Sequence, residues 1–500
     1  MKQDVKILIR HFIAYGVGIY LSKLVGFFMI PIYTKYLTPA DYGALELLDL
    51  TMYLFAMFVG LGVANSIIRF YSDCNTEQEK TQVISTAITY LTALSLICGV
   101  VMVALARPVS FLMFSSGSES SYSREELTYF LRIITCSQIL ELISTAGIAC
   151  LQAEKKSTLF TIASVGKFVL AVSLNIVFVV GMQLGVKGVL FSGLIANCAF
   201  LPSILIMVRR RLAWRVSPPL ATEMLKFGSP LIAATLSMYI IHFASRFFLE
   251  RFVGLSVLGI YSLGYKFAMV LPALFYSPFE MIWNTQMFDL YKKGEDGRRT
   301  IDYYHKYILV LSLLFIVGYS LAVKDLILIM ADPKFYAAHE VVPPLLVAFT
   351  FIGLASISSA GLFFVKKTLY RGLANIYAAI VALVCYYFLI KAFGYWGAVI
   401  ATFVAFVVRY VALSLYSQRF YPLTYNVILY LKLVPTTAVP YLAASLIRID
   451  NHVISLVARS AVGVILFIVL AIILRVFNRY EIDAAKSLMM NVWKTRIKRA

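Results

Sequence analysis

Apolar stretches of about 20 residues, long enough to cross roughly 30 Å of hydrocarbon at about 1.5 Å per residue, recur fourteen times along this chain. In lipid every backbone N–H and C=O must be satisfied within the protein, so repeated runs of this kind fold as helices packed against one another. Their approximate limits are 11 to 33, 43 to 66, 82 to 105, 126 to 150, 158 to 180, 185 to 207, 227 to 249, 257 to 281, 307 to 330, 341 to 365, 372 to 392, 396 to 417, 433 to 449 and 453 to 475. The connections are short, and none has room for a folded catalytic domain. The longest outer one, about 106 to 125, carries Arg107, Pro108, Phe111, Leu112, Met113 and Phe114, which suits a segment lying in the membrane interface. The longest inner one is about 282 to 306. Met1 to Lys6 lead into the first apolar run with no small-residue cleavage site, so the first span is expected to be retained.

The composition agrees: 61% of the residues are hydrophobic and 14% charged, against about 25% charged in soluble proteins. The six cysteines show no CxxC spacing and the five histidines are scattered, so neither a metal nor any other cofactor is expected. The net charge of +20 has a topological explanation. With the N-terminus in the cytoplasm, and residues at span ends counted with their side, 29 of the 45 Lys and Arg fall on the inner side and 9 on the outer. That bias places both termini in the cytoplasm, and nucleic acid is not an expected partner. The inner clusters are Arg209 to Arg211, Lys292 and Lys293 with Arg298 and Arg299, Lys366 and Lys367 with Arg371, and Lys494 to Arg499.

The chain also resembles itself. Tyr36-Leu37-Thr38-Pro39-Ala40-Asp41-Tyr42-Gly43 corresponds to Phe252-Val253-Gly254-Leu255-Ser256-Val257-Leu258-Gly259 at an offset of 216. Lys155-Lys156-Ser157 corresponds to Lys366-Lys367-Thr368 at 211, and Gly185-Val186-Lys187-Gly188-Val189 to Gly394-Tyr395-Trp396-Gly397-Ala398 at 209. Three matches in one order point to a duplicated set of six spans. Six is even, so both copies start from the cytoplasmic side and are related by an axis along the membrane normal. The expected organisation is an N-terminal lobe over 1–215, a C-terminal lobe over 216–425, and an accessory pair of helices with a basic tail over 426–500.

Ionisable side chains deep in a span cost on the order of 2.5 to 3.5 kcal/mol and require a partner or a hydrated cavity. Lys23, Arg132, Lys167, Arg246, Lys266, Arg409 and Arg459 lie within spans, against Glu46, Asp49, Glu141 and Glu280. Arg459 and Glu280 sit near span ends and are expected at the interface. Lys23 is about 15 Å from the outer end of its span at helical rise, too deep to snorkel. Lys266, Lys167 and Arg409 are also central. His242, Arg246 and Glu250 share a face of span 7, and Glu46, Asp49 and Tyr53 form a polar stripe on span 2. Glu141 with Gln138 on span 4 reads equally as a cavity acid or as a helix-to-helix hydrogen bond. The excess of bases suits an anionic ligand such as a phosphate or pyrophosphate.

Some segments carry a family likeness. They are the run from Tyr36 to Gly43, Arg69-Phe70-Tyr71, Leu225-Lys226-Phe227-Gly228-Ser229-Pro230-Leu231, and the run from Arg246 through Gly254 and Gly259-Ile260-Tyr261 to Gly264-Tyr265-Lys266. In these the chain resembles the polysaccharide flippases of the Wzx type, in the superfamily that also holds the MATE exporters and the MurJ-like lipid II flippases. The resemblance implies an all-α, MATE-like membrane protein of about 14 transmembrane helices in two six-helix lobes plus two C-terminal helices. It implies transfer of an undecaprenyl-pyrophosphate-linked oligosaccharide, for surface polysaccharide, from the inner to the outer leaflet of a bacterial cytoplasmic membrane by alternating access. Its implied partners are that glycan, membrane lipids, and the polysaccharide polymerase and chain-length machinery, with the transporter itself a monomer. In similar proteins bases on spans 1, 7 and 8 line the cavity, which points to Lys23, Arg246 and Lys266. The other substrate-binding candidates are Arg132, Lys167 and Arg409, and the candidate coupling acids are Glu46, Asp49 and Glu141. Ser245 stands where relatives often carry Asp before the span 7 Arg, a departure that weakens coupling through that position. In the MurJ-like relatives the two extra helices help form a lipid-tail groove, and spans 13 and 14 are expected to do the same.

Three rivals remain. A lipid II flippase would use the same cationic cavity. A MATE-type drug antiporter is disfavoured by the excess of bases. A membrane-embedded glycan polymerase or glycosyltransferase would need an outer-loop acid such as Asp41, Glu119, Glu125 or Glu126, and the short outer loops leave it little space to bind sugars.

Overall fold

A computed structural model describes residues 27–60, 62–114, 122–213, 216–424, 427–478 and 481. Among these residues all regular structure is helical, and thirteen helical segments are long and apolar enough to cross a membrane. They follow in order the second to fourteenth expected spans. The first expected span lies outside the described residues except for its end, where a short helix α1 occupies Ile30–Tyr36.

The chain divides into two compact units: Met1–Lys266 with Met330–Ala338 and Gly372–Arg409, and Phe267–Ile329 with His339–Arg371 and Tyr410–Ala500. In the first unit, α2 (Pro39–Gly60) and α3 (Val63–Asp73) form one span interrupted next to Gly62. They are followed by α4 (Glu77–Ala104), a short α5 (Ala106–Met113) and α6 (Arg124–Ala153). Thr76 with Glu79, and Ser123 with Glu126, close capping boxes that start α4 and α6. α5 is the piece expected at the interface: Leu112 is 82% exposed while Met113 and Phe114 turn inward. α7 (Ser157–Asn175), α8 (Gly185–Val208), α9 (Pro218–Phe243), α10 (Ser245–Phe252) and α11 (Leu255–Ala268) complete the run.

The second unit contains α12 (Ser277–Lys292), α13 (Gly294–Met330), α14 (Ala338–Ser358) and α15 (Ala360–Phe364). α16 (Leu369–Phe393) and α17 (Tyr395–Gln418) lie largely in the first unit, and α18 (Val427–Ser445) and α19 (His452–Ile473) in the second. The inner connection expected over 282 to 306 is not a loop. α12 and α13 run on through it, separated by a turn at Gly294, whose φ of 62° is the left-handed conformation that glycine adopts without strain. Their polar ends, from Asp289 to Arg299, extend the helices past the apolar stretch, and hydropathy alone cannot tell such an extension from a loop.

The duplication is visible in the backbone. Lys155 and Lys366, 211 residues apart, both hold a left-handed φ, 56° and 58°. At each corner the next residue's N–H reaches back to a carbonyl five residues earlier, Lys156 to Leu151 at 2.9 Å and Lys367 to Leu362 at 2.8 Å, the Schellman ending of a helix. Gly185 and Gly394 share a φ of 57°. Within the first unit the two copies also touch reciprocally. A methyl group on Gly43 would lie 2.2 Å from the Leu255 carbonyl oxygen, and one on Gly259 would lie 1.9 Å from that of Pro39. Both pairs are related by the 216-residue offset, so the first turns of α2 and α11 cross backbone to backbone.

In the second unit the accessory helix α19 is fastened to α13 by Asp325. This buried carboxylate accepts from Ser455 Oγ at 2.7 Å, lies 3.1 Å from His452 Nδ1, and has Arg459 Nη1 at 3.7 Å. Arg459, expected at the interface, therefore belongs to a polar clamp, and its Nε donates to the Ile447 carbonyl.

At the C-terminal end of α6, between two spans, Glu154 accepts from Lys156 at 2.5 Å and from Arg211 Nε at 2.6 Å. Burial alone would raise its pKa, but the two cations outweigh it and hold the carboxyl below its ordinary value of 4.5. A depressed carboxyl contributes stability that is complete above its ordinary value and is lost as pH falls through the folded-state value. Glu154→Gln is therefore expected to lower the thermal midpoint of the purified protein at pH 7, and the gap to wild type should close on acidification below pH of about 4. A gap that persists or widens in acid would show that the clasp does not stabilise through charge.

Candidate functional site

The polar stripe of α2 faces α11 in the first unit. Tyr42, Glu46, Asp49 and Tyr53 share one helix face, and Lys266 reaches across from α11. Its Nζ donates to Glu46 Oε2 at 2.9 Å and to the Tyr42 hydroxyl at 3.1 Å, with the Tyr42 ring 4.7 Å away. Tyr265 beside it is buried, yet the Lys266 side chain keeps 41% of its exposure. Asp49 is likewise exposed between buried Leu48 and Leu50. Charged groups that are deep in their spans and still accessible border an open chamber. Tyr53 stacks on Tyr239 at 5.7 Å and also borders a cavity of about 310 Å³ whose wall includes Asn65, Gln138 and Thr145.

Arg246 is the other centre of the chamber. It is 1% exposed, and its guanidinium lies 3.8 Å from the Tyr265 ring centre, 5.2 Å from Tyr261 and 5.5 Å from Phe243. Nη1 donates to the His242 carbonyl at 2.5 Å and to Ser245 Oγ at 3.2 Å. Nε has no hydrogen-bond partner, and no described carboxylate lies within ion-pair distance. A desolvated guanidinium held by rings and a carbonyl, with a donor left over, is costly alone and complementary to an anion. Around it, His242 Nδ1 lies 2.9 Å from the Tyr265 hydroxyl, with the Phe406 ring 5.0 Å away. Buried Arg409 Nε donates to Asn375 at 2.8 Å, and both Arg409 and Arg246 lie within electrostatic reach of His242.

The structure thus brings Arg246, Lys266, Arg409, Glu46 and Asp49 into one neighbourhood of the first unit. Lys23 lies outside the described residues. Two bases are elsewhere. Lys167 on α7 is paired with Glu141 on α6 and lies over the Phe200 ring of α8, so this pair closes a contact among these three helices. Arg132 is exposed in a groove of about 940 Å³ between α5 and α6 with Arg107 and Arg124, because α6 turns that face away from its neighbours. Among the outer acids, Asp41 accepts from the Thr38 N–H at 2.8 Å and from Tyr122, and Glu126 closes a capping box; Glu119 lies outside the described residues. No group of three His, Cys, Asp or Glu side chains among the described residues is placed to hold a metal ion. The rings around Arg246 escaped the sequence reading, although Tyr261 and Tyr265 stand four apart and thus on one helix face.

In the second unit an apolar groove of about 520 Å³ runs between α13, α14 and α18. Of the two accessory helices expected to form a lipid-tail groove, α18 contributes to its wall, and none of its lining residues belongs to α19.

A duplicated set of membrane-crossing helices around a buried, base-rich aromatic chamber defines a polytopic membrane protein of the MATE-like fold. The structure is similar to that of the lipid II flippase MurJ in an inward closed conformation, with a TM-score of 0.69 and 14% identity over 94% of this chain and 99% of that one. It is also similar to an inward-facing multidrug resistance MATE family transporter of the MOP superfamily, with a TM-score of 0.65 and 16% identity over 81% of this chain and 97% of that one. The chain belongs to the polysaccharide biosynthesis protein family, whose model matches residues 8–282. A search of curated proteins gives no match.

Proposed function

We propose that this protein moves a lipid-linked oligosaccharide, carried on undecaprenyl pyrophosphate, from the inner to the outer leaflet of a bacterial cytoplasmic membrane. The observation that carries this reading is Arg246: a buried guanidinium with a spare donor and no described carboxylate within ion-pair distance, although Glu46 lies within electrostatic reach. Lys266, accessible and only half committed to Glu46 and Tyr42, stands nearby as a second phosphate ligand. Sugars remain in water while the chamber takes the pyrophosphate, so the charge crosses the hydrocarbon without being bare in it. The moving parts in this reading are the two copies of the repeat, 1–215 and 216–425, which alternate access about the chamber. The distribution of Lys and Arg supports cytoplasmic termini. Glu46 and Asp49 are the acids beside Lys266, and a proton taken up by either would loosen its hold on the base. Polymerase and chain-length machinery act after transfer, and the protein works as a monomer.

The test is transbilayer movement of a fluorescent polyprenyl-pyrophosphate oligosaccharide in vesicles containing the purified protein. Wild type is expected to expose the probe to an outside quencher, and Lys266→Ala to slow this by about tenfold, the effect of one charge-assisted contact. Equal movement in protein-free vesicles, or movement of a cationic dye in place of the lipid, would overturn the reading.

A further inference from the structure

The apolar groove of the second unit does not end in hydrocarbon. Followed along α13 from Ser320 back to Leu309 and along α18 from Tyr441 back to Leu433, its walls are apolar. At Lys306, one turn further along α13, and at Lys432, next to Leu433 on α18, they become basic. Tyr430 belongs to both linings, so the groove runs on into a second cavity of about 430 Å³ bordered by Arg299, Lys306, Lys432 and Arg475. This is the end of α13, α18 and α19 that the Lys and Arg distribution assigns to the cytoplasm.

The four bases differ in commitment. Lys306 is held by Glu481, which accepts from its Nζ at 2.7 Å and from the Tyr307 hydroxyl at 2.9 Å. Asp302, also on the wall, accepts from the Thr424 N–H at 3.0 Å. Arg299, Lys432 and Arg475 make no ion pair with any described residue. Counting Asp302 and Glu481 against the four bases leaves a surplus of two positive charges at the mouth of an apolar slot. Ile428, Leu431 and Val434 beside it are strongly exposed, as side chains facing acyl chains are.

From this continuity of charge and slot we infer that the second unit carries a resident site for an anionic membrane phospholipid of the inner leaflet. Its phosphate lies among Arg299, Lys432 and Arg475, and one acyl chain lies along the groove. Basic pockets between membrane helices on the cytoplasmic side recognise such headgroups by charge and by donors to phosphate oxygens. The inference rests on the proposed function in one respect: the transported pyrophosphate is assigned to the chamber of the first unit, so the basic pocket of the second serves a different head.

The experiment is titration of the full-length protein, purified in detergent, with phosphatidylglycerol or phosphatidylcholine, read by native mass spectrometry. Wild type is expected to hold phosphatidylglycerol about tenfold more tightly or better, and the triple variant Arg299→Ala, Lys432→Ala, Arg475→Ala to lose that preference. The single variant Arg475→Gln, the safer of the two for folding, should lose part of it. Lys266→Ala should keep the preference in full, which separates this site from the transport reading. Unchanged preference in both pocket variants would overturn the proposal. So would equal binding of phosphatidylcholine by wild type, or displacement of bound phosphatidylglycerol by an equimolar polyprenyl pyrophosphate or by inorganic phosphate alone.

Discussion

Arg246→Ala is expected to reduce export of surface polysaccharide by about 100-fold while the protein still accumulates in the membrane. One charge-assisted contact to a phosphate group from the spare Nε in a desolvated site is worth about 3 kcal/mol, and each 1.4 kcal/mol is a factor of about ten. The variant should not unfold the protein, because removing a buried charge that lacks a described carboxylate also removes its desolvation cost. Arg246→Lys separates the contributions. It keeps the charge but loses the planar face that lies 3.8 Å from the Tyr265 ring, and is expected to retain activity reduced by about tenfold. Export should be read as labelled glycan at the cell surface, with membrane protein level measured in parallel. Normal export in Arg246→Ala would remove this side chain from the transport pathway, and loss of export together with loss of protein would assign it to folding instead.

Gly259→Ala is expected to destabilise the first unit by about 3 kcal/mol, at the upper end of what overpacking costs. The reason is the identity of the neighbour: the added methyl would meet a backbone carbonyl at 1.9 Å, and a carbonyl in the first turn of a helix has no rotamer to escape into. Relief requires α2 and α11 to move apart, which withdraws Lys266, two turns beyond Gly259, from Glu46 and from Tyr42, the neighbour of Gly43. Gly43→Ala meets the reciprocal obstruction and should behave alike. Because both variants widen the same crossing, the double variant should cost clearly less than the sum of the singles. Thermal unfolding of the purified proteins decides this. Additive losses would mean that the two glycines act separately, and wild-type stability in Gly259→Ala would mean that the crossing is not close-packed.

Much of the fold is legible in the sequence because lipid imposes one local rule. A run of about 20 apolar residues has to be a helix, so spans 2 to 14 emerge in order. What escapes is structure outside the lipid. The polar run from Asp289 to Arg299 belongs to α12 and α13, and only the tertiary course of the chain distinguishes helix from loop there. The site divides along the same line. Arg246, Lys266 and Arg409 stand out because a charge inside an apolar run is a local anomaly. Who faces whom is not local. Glu141 is 26 residues from Lys167, and their pairing depends on how α6 meets α7. Arg132 illustrates the opposite failure: depth counted along the chain ignores the direction of the helix face, which turns it toward an open groove with Arg107 and Arg124. Asp325 and its clamp were invisible for both reasons, since the acid sits near a span end and its partners are more than 120 residues away.

The left-handed corners at Lys155 and Lys366 bear on how such a protein changes over time. A corner made by main-chain hydrogen bonds asks little of its side chain, so neighbouring residues are free to drift while the direction of the next helix is inherited intact. Two proteins can then lose nearly every shared letter and still superpose, as the 14% identity at a TM-score of 0.69 shows.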